Sequence, residues 1–478
     1  MVNLRLKSWA GDALSTVCAV LLFVVMFDHM TAVKYIGLGV LIAILALLAF
    51  NSLRDKASRR LLPAQPLLIA LSAWALWTLM SAAWSFDRAL SLGAWRDEVF
   101  YPLAGFFGFW LIGKEALNKR RLQTVVWVAC LILAIASVVF FNDLDPAIPK
   151  PGLLHFYARV GHTSTLALMA IPLFASMISD PNTRFRGLTG IAFCVVIGGA
   201  TLNRFFWIAL AVVAVVLLWP RSPHDRLRAW TALGTLLVAT LAAVGFSNKL
   251  RLMDLRANAA TANSAQALSV PPVSALRVTA STSDRPTSLP HSAHVLAGSS
   301  IASSVNRAMS SDARPRIWAF YLSQVPAHPW LGVGFGKPLP SLAYESVIPD
   351  DLVKLDGNVR THAHNIFLNT LLQVGAIGLL IQLAVFTCLA NQFFAIRHAY
   401  PQLFRAGFAL ILGMLAKNLT DDFMWQSTML MFWSYSGWLL GQTAVRLNAL
   451  KATTPFYQAP RSAREITLVE RPLEPASS

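Results

Sequence analysis

Apolar runs of nearly uniform length dominate the chain. They recur at 12–29, 32–50, 65–84, 99–113, 122–141, 163–179, 187–202, 204–220, 229–246, 364–389, 403–419 and 424–445. Each approaches the roughly 20 residues that a bilayer crossing takes. In lipid every backbone N–H and C=O must be satisfied within its own segment. The pattern therefore predicts an all-α integral membrane protein of about 12 transmembrane helices. A basic start at Arg5 and Lys7, followed by an apolar stretch from Leu14 to Phe27, also suits a cleavable signal peptide. The second apolar run follows at once, which favours an uncleaved first span.

One connector, 247–363, breaks the rhythm. It is far longer than ordinary connections, and long loops are often functional. Residues 257–311 are rich in Ala, Ser, Thr, Val and Pro without a helical or strand period, and read as low-complexity chain. Within 312–345, Trp318, Phe320, Tyr321, Leu322 and Val325 recur at helical spacing. They predict a short amphipathic helix, ended by Pro326 and Pro329, that lies on the membrane or caps the spans. The chain thus divides into helices one to nine (1–246), the loop (247–363), helices ten to twelve (364–445) and a polar tail (446–478).

Charge orients this plan. Only 13% of residues are charged and 56% are hydrophobic, yet the formal net charge is +17. The cations form short clusters between apolar runs rather than one patch, which argues against nucleic acid. Arg54, Lys56, Arg59 and Arg60 make one cluster, and Lys114, Lys119, Arg120 and Arg121 another. Arg184 with Arg186, then Arg221, Arg226 and Arg228, then Arg397 follow on every second connector. The positive-inside rule makes these cytoplasmic, with both termini inside. Connectors 85–98, 142–162, the turn near 203, 247–363 and 420–423 then face the periplasm of a Gram-negative cell. Cys18, Cys130, Cys194 and Cys388 all fall within spans as small core residues, with neither disulfide nor zinc spacing.

The candidate chemistry lies where outer connectors meet spans. Arg204 follows Thr201-Leu202-Asn203 in a tight turn. A guanidinium there is a snorkelling interfacial group or a forked anion clamp. Arg314 and Arg316 open the loop helix, where exposed N–H groups also favour anions; Arg316 reads equally well as a solvated partner of Asp312. His328-Pro329-Trp330-Leu331-Gly332-Val333-Gly334-Phe335-Gly336 lacks dinucleotide-fingerprint spacing, and its glycines suit a tight return of the loop onto the membrane. His362 and His364 precede the tenth span, with Asn365 placed to orient an imidazole; acid–base work needs only one such ring. No further His, Asp or Glu stands at metal-ligand spacing from them. Arg159 with His162, and Asp421 with Asp422, read as substrate contacts or as interfacial ion partners.

In this order the motifs resemble the O-antigen ligase and polymerase superfamily. An arginine lies between two spans (Arg204). Arg-x-x-x-Trp follows in a long outer loop (Arg314 to Trp318), then His-Pro-x-x-Gly-x-Gly-x-Gly (His328 to Gly336), then His364-Asn365 opening a span. The resemblance implies a transferase at the periplasmic face of the bacterial inner membrane. It would move a glycan from an undecaprenyl-pyrophosphate donor to a sugar hydroxyl of lipid A–core, with no metal or nucleotide cofactor. It implies His364 as catalytic base and Arg204 and Arg314 as diphosphate ligands, with Arg159, His162, Arg316, His362 and Asn365 as further substrate contacts. Two positions depart from the family pattern: Asn203 where Ser or Gly is usual, and Gln373 where Glu is usual. A polymerase, whose acceptor is a second lipid-linked repeat, shares these motifs. A secondary transporter would instead need ionisable residues near mid-span, and the charged groups here lie at span edges.

Overall fold

The computed structural model describes residues 2–27, 30–54, 63–114, 116–142, 160–178, 180–201, 203–219, 313–355 and 357–453. These fold as an all-α membrane protein, with no strand among the described residues. The first nine helices are α1 (Val2–Val24), α2 (Thr31–Arg54), α3 (Gln65–Met80), α4 (Arg88–Trp95), α5 (Tyr101–Gly113), α6 (Ala116–Asn142), α7 (Val160–Met177), α8 (Arg184–Ala200) and α9 (Arg204–Leu218). Then follow α10 (Arg314–Gln324), the short α11 (Leu339–Ala343) and α12 (Asp350–Leu355), and the long α13 (Ile366–Ala395), α14 (Pro401–Asn418) and α15 (Gln426–Thr453). Helices fall on every expected span except 229–246, which lies outside the described residues together with 257–311. Four stretches, Thr31–Phe50, Gln65–Ala83, Arg120–Val139 and Ile366–Ala395, are long and apolar enough by length and composition to cross a membrane. The expected tail begins inside α15, which runs on to Thr453.

Apolar packing sets the helix layer. α5 lies along α15, α8 against α6 and α7, α14 against α9 and α7, and α13 against α3. The α5–α15 seam is close because both helices carry glycines there. A Cβ at Gly437 would sit 2.2 Å from the Phe106 carbonyl oxygen, and one at Gly441 2.3 Å from that of Trp110. Small residues let membrane helices approach backbone to backbone, where dispersion rather than the hydrophobic effect holds them.

The outer loop adds a second, smaller core of Ile317, Tyr321, Val333, Leu339, Ile348, Leu352, Val359 and Ala363, closed against Leu372 of α13. The expected amphipathic helix is α10, whose buried residues are Ile317 and Tyr321; a 3-10 turn at Val325–Ala327 ends it, with Pro326 inside. The Tyr321 hydroxyl donates to the Val359 carbonyl at 2.6 Å. The described residues of 313–365 form a cap packed against α13.

The glycine run ties cap to layer. α13 is broken at Gly375 (φ 70°, ψ −175°), a conformation open essentially to glycine alone. The backbone groups freed by the break bond to the loop. Val333 N–H donates to Leu372 O (2.9 Å), Gly334 N–H to Gln373 O (2.8 Å) and Ala376 N–H to Pro329 O (2.8 Å). The Trp77 indole takes the Val374 carbonyl (3.1 Å). Gln373 itself uses its amide oxygen to receive the Gly336 N–H at 2.9 Å, which a carboxylate would also do.

Candidate active site

Two chain segments meet at Asp421. The turn between α14 and α15 carries Asp421 and Asp422, and the end of the cap carries His362 and His364. His362 Nε2 and His364 Nδ1 both lie 3.0 Å from Asp421 Oδ1, which also accepts the Asp422 backbone N–H at 2.8 Å. A guanidinium nitrogen of Arg314 is 3.5 Å from Oδ2. The imidazole centroids are 4.1 Å apart, and both rings and the carboxylate are buried.

Local structure explains how each group arrives. Arg314 and Trp318 stand four apart on α10 and so share a face. The Trp318 indole donates to the His364 carbonyl at 3.1 Å, and one turn earlier Arg314 reaches the carboxylate. The Arg-x-x-x-Trp spacing thus clamps the backbone and the counterion of one histidine together. Asn365 caps α13: its Oδ1 accepts from the N–H groups of Phe367 and Leu368 (2.9 and 3.0 Å), and its Nδ2 donates to Leu419 O at 2.8 Å. Its amide therefore joins the histidine segment to the Asp421 turn instead of touching an imidazole. Between these anchors His364 is held at φ 52°. That left-handed conformation is uncommon for a residue with a Cβ, and such strain persists where the surroundings over-determine it.

Proton inventories follow from the partners. Burial drives the His362 pKa from 6.5 down to about 3, with the nearby Lys337 charge adding to the effect. A neutral His362 then donates from Nε2 to Asp421 and accepts at Nδ1 from the Thr361 hydroxyl, 2.8 Å away. Burial opposes ionisation of Asp421, but hydrogen bonds from both imidazoles outweigh it and hold its carboxyl below the usual range. Next to it, burial pushes Asp422 up, although Asn369 Nδ2 donates to it at 2.7 Å. Glu98 is likewise raised by burial and by the Asp422 charge. Lys337 donates to the Asp422 carbonyl and lies over the Trp425 ring, 5.5 Å from its centroid.

The remaining candidates fall at different distances from this point. The Arg204 side chain lies outside the described residues, but its backbone opens α9 under an Asn203 cap, whose Oδ1 accepts from Phe205 N–H at 3.0 Å. Asn203 is thus a favourable N-cap residue. The Phe205 ring carries the Arg314 guanidinium 4.5 Å from its centroid, so the chain at 204 adjoins the cluster. His162, half-buried, stands beside Gly161 in the first turn of α7; the Phe423 ring is packed on that glycine. Arg159 lies outside the described residues. Arg316 is exposed and pairs with Asp351; Asp312, its expected partner, lies outside the described residues.

Sequence reasoning passed over Asp421 as an interfacial ion partner and expected no third ligand near the two histidines. His362, His364 and Asp421 in fact offer three donor atoms within 4.8 Å of one another, a set able to hold a metal ion. The same carboxylate already faces the Arg314 cation, so a metal there would compete with a fixed positive charge. As it stands, the arrangement is a histidine oriented by a carboxylate beside a guanidinium.

Comparisons with known proteins bear on the same residues. The family model described as O-Antigen ligase matches residues 189–383. An O-antigen ligase of Pseudomonas aeruginosa is 26% identical over 367 residues, covering 76% of this chain and 73% of that protein. Both matches are to O-antigen ligases. The family match takes in Arg204, Arg314, His362, His364 and Asn365, and it ends before Asp421. The carboxylate that gathers the cluster therefore comes from outside the matched segment.

Proposed function

We propose that the chain is an O-antigen ligase of the inner membrane, moving a glycan from undecaprenyl pyrophosphate to a sugar hydroxyl of lipid A–core. The reading includes 12 spans, cytoplasmic termini and the cap on the periplasmic side, where both substrates are found. The observation that carries it is the convergence of His364, Asp421 and Arg314 on one buried point, next to the start of α9, in a chain with ligase relatives.

In this mechanism His364 donates its Nδ1–H to Asp421, so Nε2 carries the lone pair. As the acceptor hydroxyl attacks the anomeric carbon, its proton passes to Nε2, and Asp421 stabilises the resulting imidazolium, as in other His–Asp pairs. The bond from the anomeric carbon to the diphosphate oxygen breaks with its electron pair going to that oxygen. Arg204 and Arg314 receive the charge that develops there, in a poorly hydrated site where such donors count most. The diphosphate is already a competent leaving group, so these cations suffice without a metal. Attack and departure on opposite faces of the sugar invert the anomeric centre.

Reconstitution with a defined undecaprenyl-pyrophosphate glycan and rough lipopolysaccharide, with and without chelator, tests the reading. His364→Ala is expected to keep donor binding and lose transfer by roughly 10²–10⁴-fold, the usual range for a general base. Arg314→Ala should weaken both. Near wild-type transfer by His364→Ala, or a product of retained configuration, removes the mechanism. Elongation of a second lipid-linked repeat in place of the core acceptor would make the chain a polymerase.

A further inference from the structure

The groups gathered at Asp421 form a ligand triad that the proposed reaction does not use as one. His362 Nε2, His364 Nδ1 and an Asp421 carboxylate oxygen all lie within 4.8 Å of one another, and each nitrogen is 3.0 Å from Oδ1. Ligand atoms around four-coordinate zinc, each about 2.0–2.2 Å from the ion, stand about 3.3 Å apart. The two nitrogen–oxygen edges therefore need to open by roughly 0.3 Å to admit such an ion.

The contacts behind the triad are those a metal site needs. Thr361 Oγ1 stands 2.8 Å from His362 Nδ1; a hydroxyl can accept from that nitrogen once Nε2 is ligated. The Asp422 N–H holds Oδ1 at 2.8 Å, and the Trp318 indole holds the His364 carbonyl at 3.1 Å. Two imidazoles with one carboxylate suit zinc and its borderline neighbours, whereas magnesium prefers oxygen ligands. Arg314 approaches the same carboxylate from Oδ2, 3.5 Å away, and its side chain is the most exposed of the four, at 22% against 7–11% for the triad. Its charge opposes a second cation without blocking Oδ1.

We propose that this triad is an inhibitory site for divalent cations of the zinc class. The ion replaces the bond between His364 Nδ1 and Asp421. With the metal on Nδ1, the ring's proton is relocated to Nε2. The imidazole stays neutral but has no lone pair left for the acceptor hydroxyl. Binding of the ion needs only the triad; the inhibition rests on the ligase reading.

The test is a titration of the untagged full chain in detergent with Zn²⁺, with Co²⁺ as the spectroscopic probe and Mg²⁺ as the control, beside the transfer assay. The parent is expected to bind one Zn²⁺ by calorimetry and to show the visible bands of four-coordinate Co²⁺. Its transfer should fall as zinc fills the site and return with chelator, while Mg²⁺ does neither. His362→Gln keeps a donor for Asp421 but removes an imidazole ligand. It should weaken zinc binding at least about tenfold, the least that even an outer-shell partner costs, and its residual transfer should resist zinc levels that halve the parent's. Arg314→Gln removes the opposing charge and should tighten zinc binding about tenfold or more, a change of sign that general damage to the site does not produce. Absent cobalt bands in the parent, unchanged zinc affinity in His362→Gln or weaker binding in Arg314→Gln each overturn the proposal, as does a zinc-loaded parent that transfers at full rate. A parent that transfers nothing yet binds zinc with these affinities removes the ligase reading and keeps the site. Should a variant not fold, the parent decides: cobalt bands with chelator-reversible inhibition support the site, and the lack of either overturns it.

Discussion

The helix layer and the cap are both closed around apolar cores, yet they are held by different forces. In the layer, α5 and α15 touch along Gly437 and Gly441, and the interior is Leu, Phe, Trp and Ala from many helices. Its contacts are non-directional, and conservative apolar exchanges in such cores usually cost under about 1.5 kcal/mol. The cap has a smaller core and is fixed to the layer by directional bonds: Pro329, Val333 and Gly334 to the break in α13, and Asn365 to Leu419. The groups of the proposed site are divided across that joint: Arg314, His362 and His364 belong to the cap, whereas Asp421 belongs to the layer. Each half is chemically incomplete, so the site exists only while the polar joint is closed.

Asp421→Asn attacks the joint where it meets the chemistry, and the largest effect is expected there. The amide keeps the shape but brings its own donors to imidazoles that already donate, so the His364 ring loses its orienting partner. Transfer should fall roughly 10³-fold or more, by analogy with the same exchange in a serine-protease triad, with donor KM little changed. Single-turnover transfer by the purified variant checks this. A loss confined to KM would place Asp421 in binding and separate it from the base.

Gly375→Ala attacks the joint without touching a reactive group. A Cβ there would stand 2.0 Å from the Trp330 carbonyl carbon and oxygen, and the glycine-only backbone conformation adds about 1–3 kcal/mol. The cap should detach while the helix layer persists. Limited proteolysis is expected to cut within 313–365 at protease levels the parent resists, with transfer lost and the melting of the α5–α15 layer nearly unchanged. A single loss of both cores together would show that they are one cooperative unit, and the contrast drawn above would fail.

Much of this division is legible in the sequence. The apolar runs locate the helices, and the spacing of Trp318, Phe320, Tyr321, Leu322 and Val325 locates α10. Arg314 and Trp318, four apart, already share a face. Three features escape. The run 364–389 reads as one uninterrupted span, because the break at Gly375 depends on a loop some 40 residues earlier in the chain being there to take its freed carbonyls (a separation on the order of an ordinary helical hairpin). Asp421 stands beside Asp422 at a span mouth, a pattern interfacial pairs share; only tertiary closure shows which acid meets the histidines. Lys417 stands near the end of the apolar run 403–419 and reads there as one more edge cation; only the packed structure shows that it is buried.

The protonation assigned to His362 is open to a test by pH, and here the expected effect is smallest. His362 titrates near 6.5 when unfolded and near 3 in the buried cluster. Between those values the unfolded chain binds a proton that the folded one does not, so His362 makes the cap less stable as pH falls from about 6.5 towards 3. Glu98 and Asp422 work in the opposite sense: burial raises them, the folded state binds more protons, and their contribution grows as pH falls towards their unfolded values. Asp421, held low, loses stability only below its unfolded value of 3.8. His362→Gln removes the first effect and leaves the three carboxyls in place. Between pH 6.5 and 4 its cap should therefore lose less stability than the parent's, read as protease sensitivity of residues 313–365 at each pH. Parallel curves for the two proteins would mean that His362 keeps its proton in the fold. Asp421 would then face an imidazolium beside Arg314, and the neutral-donor assignment at that position would fall.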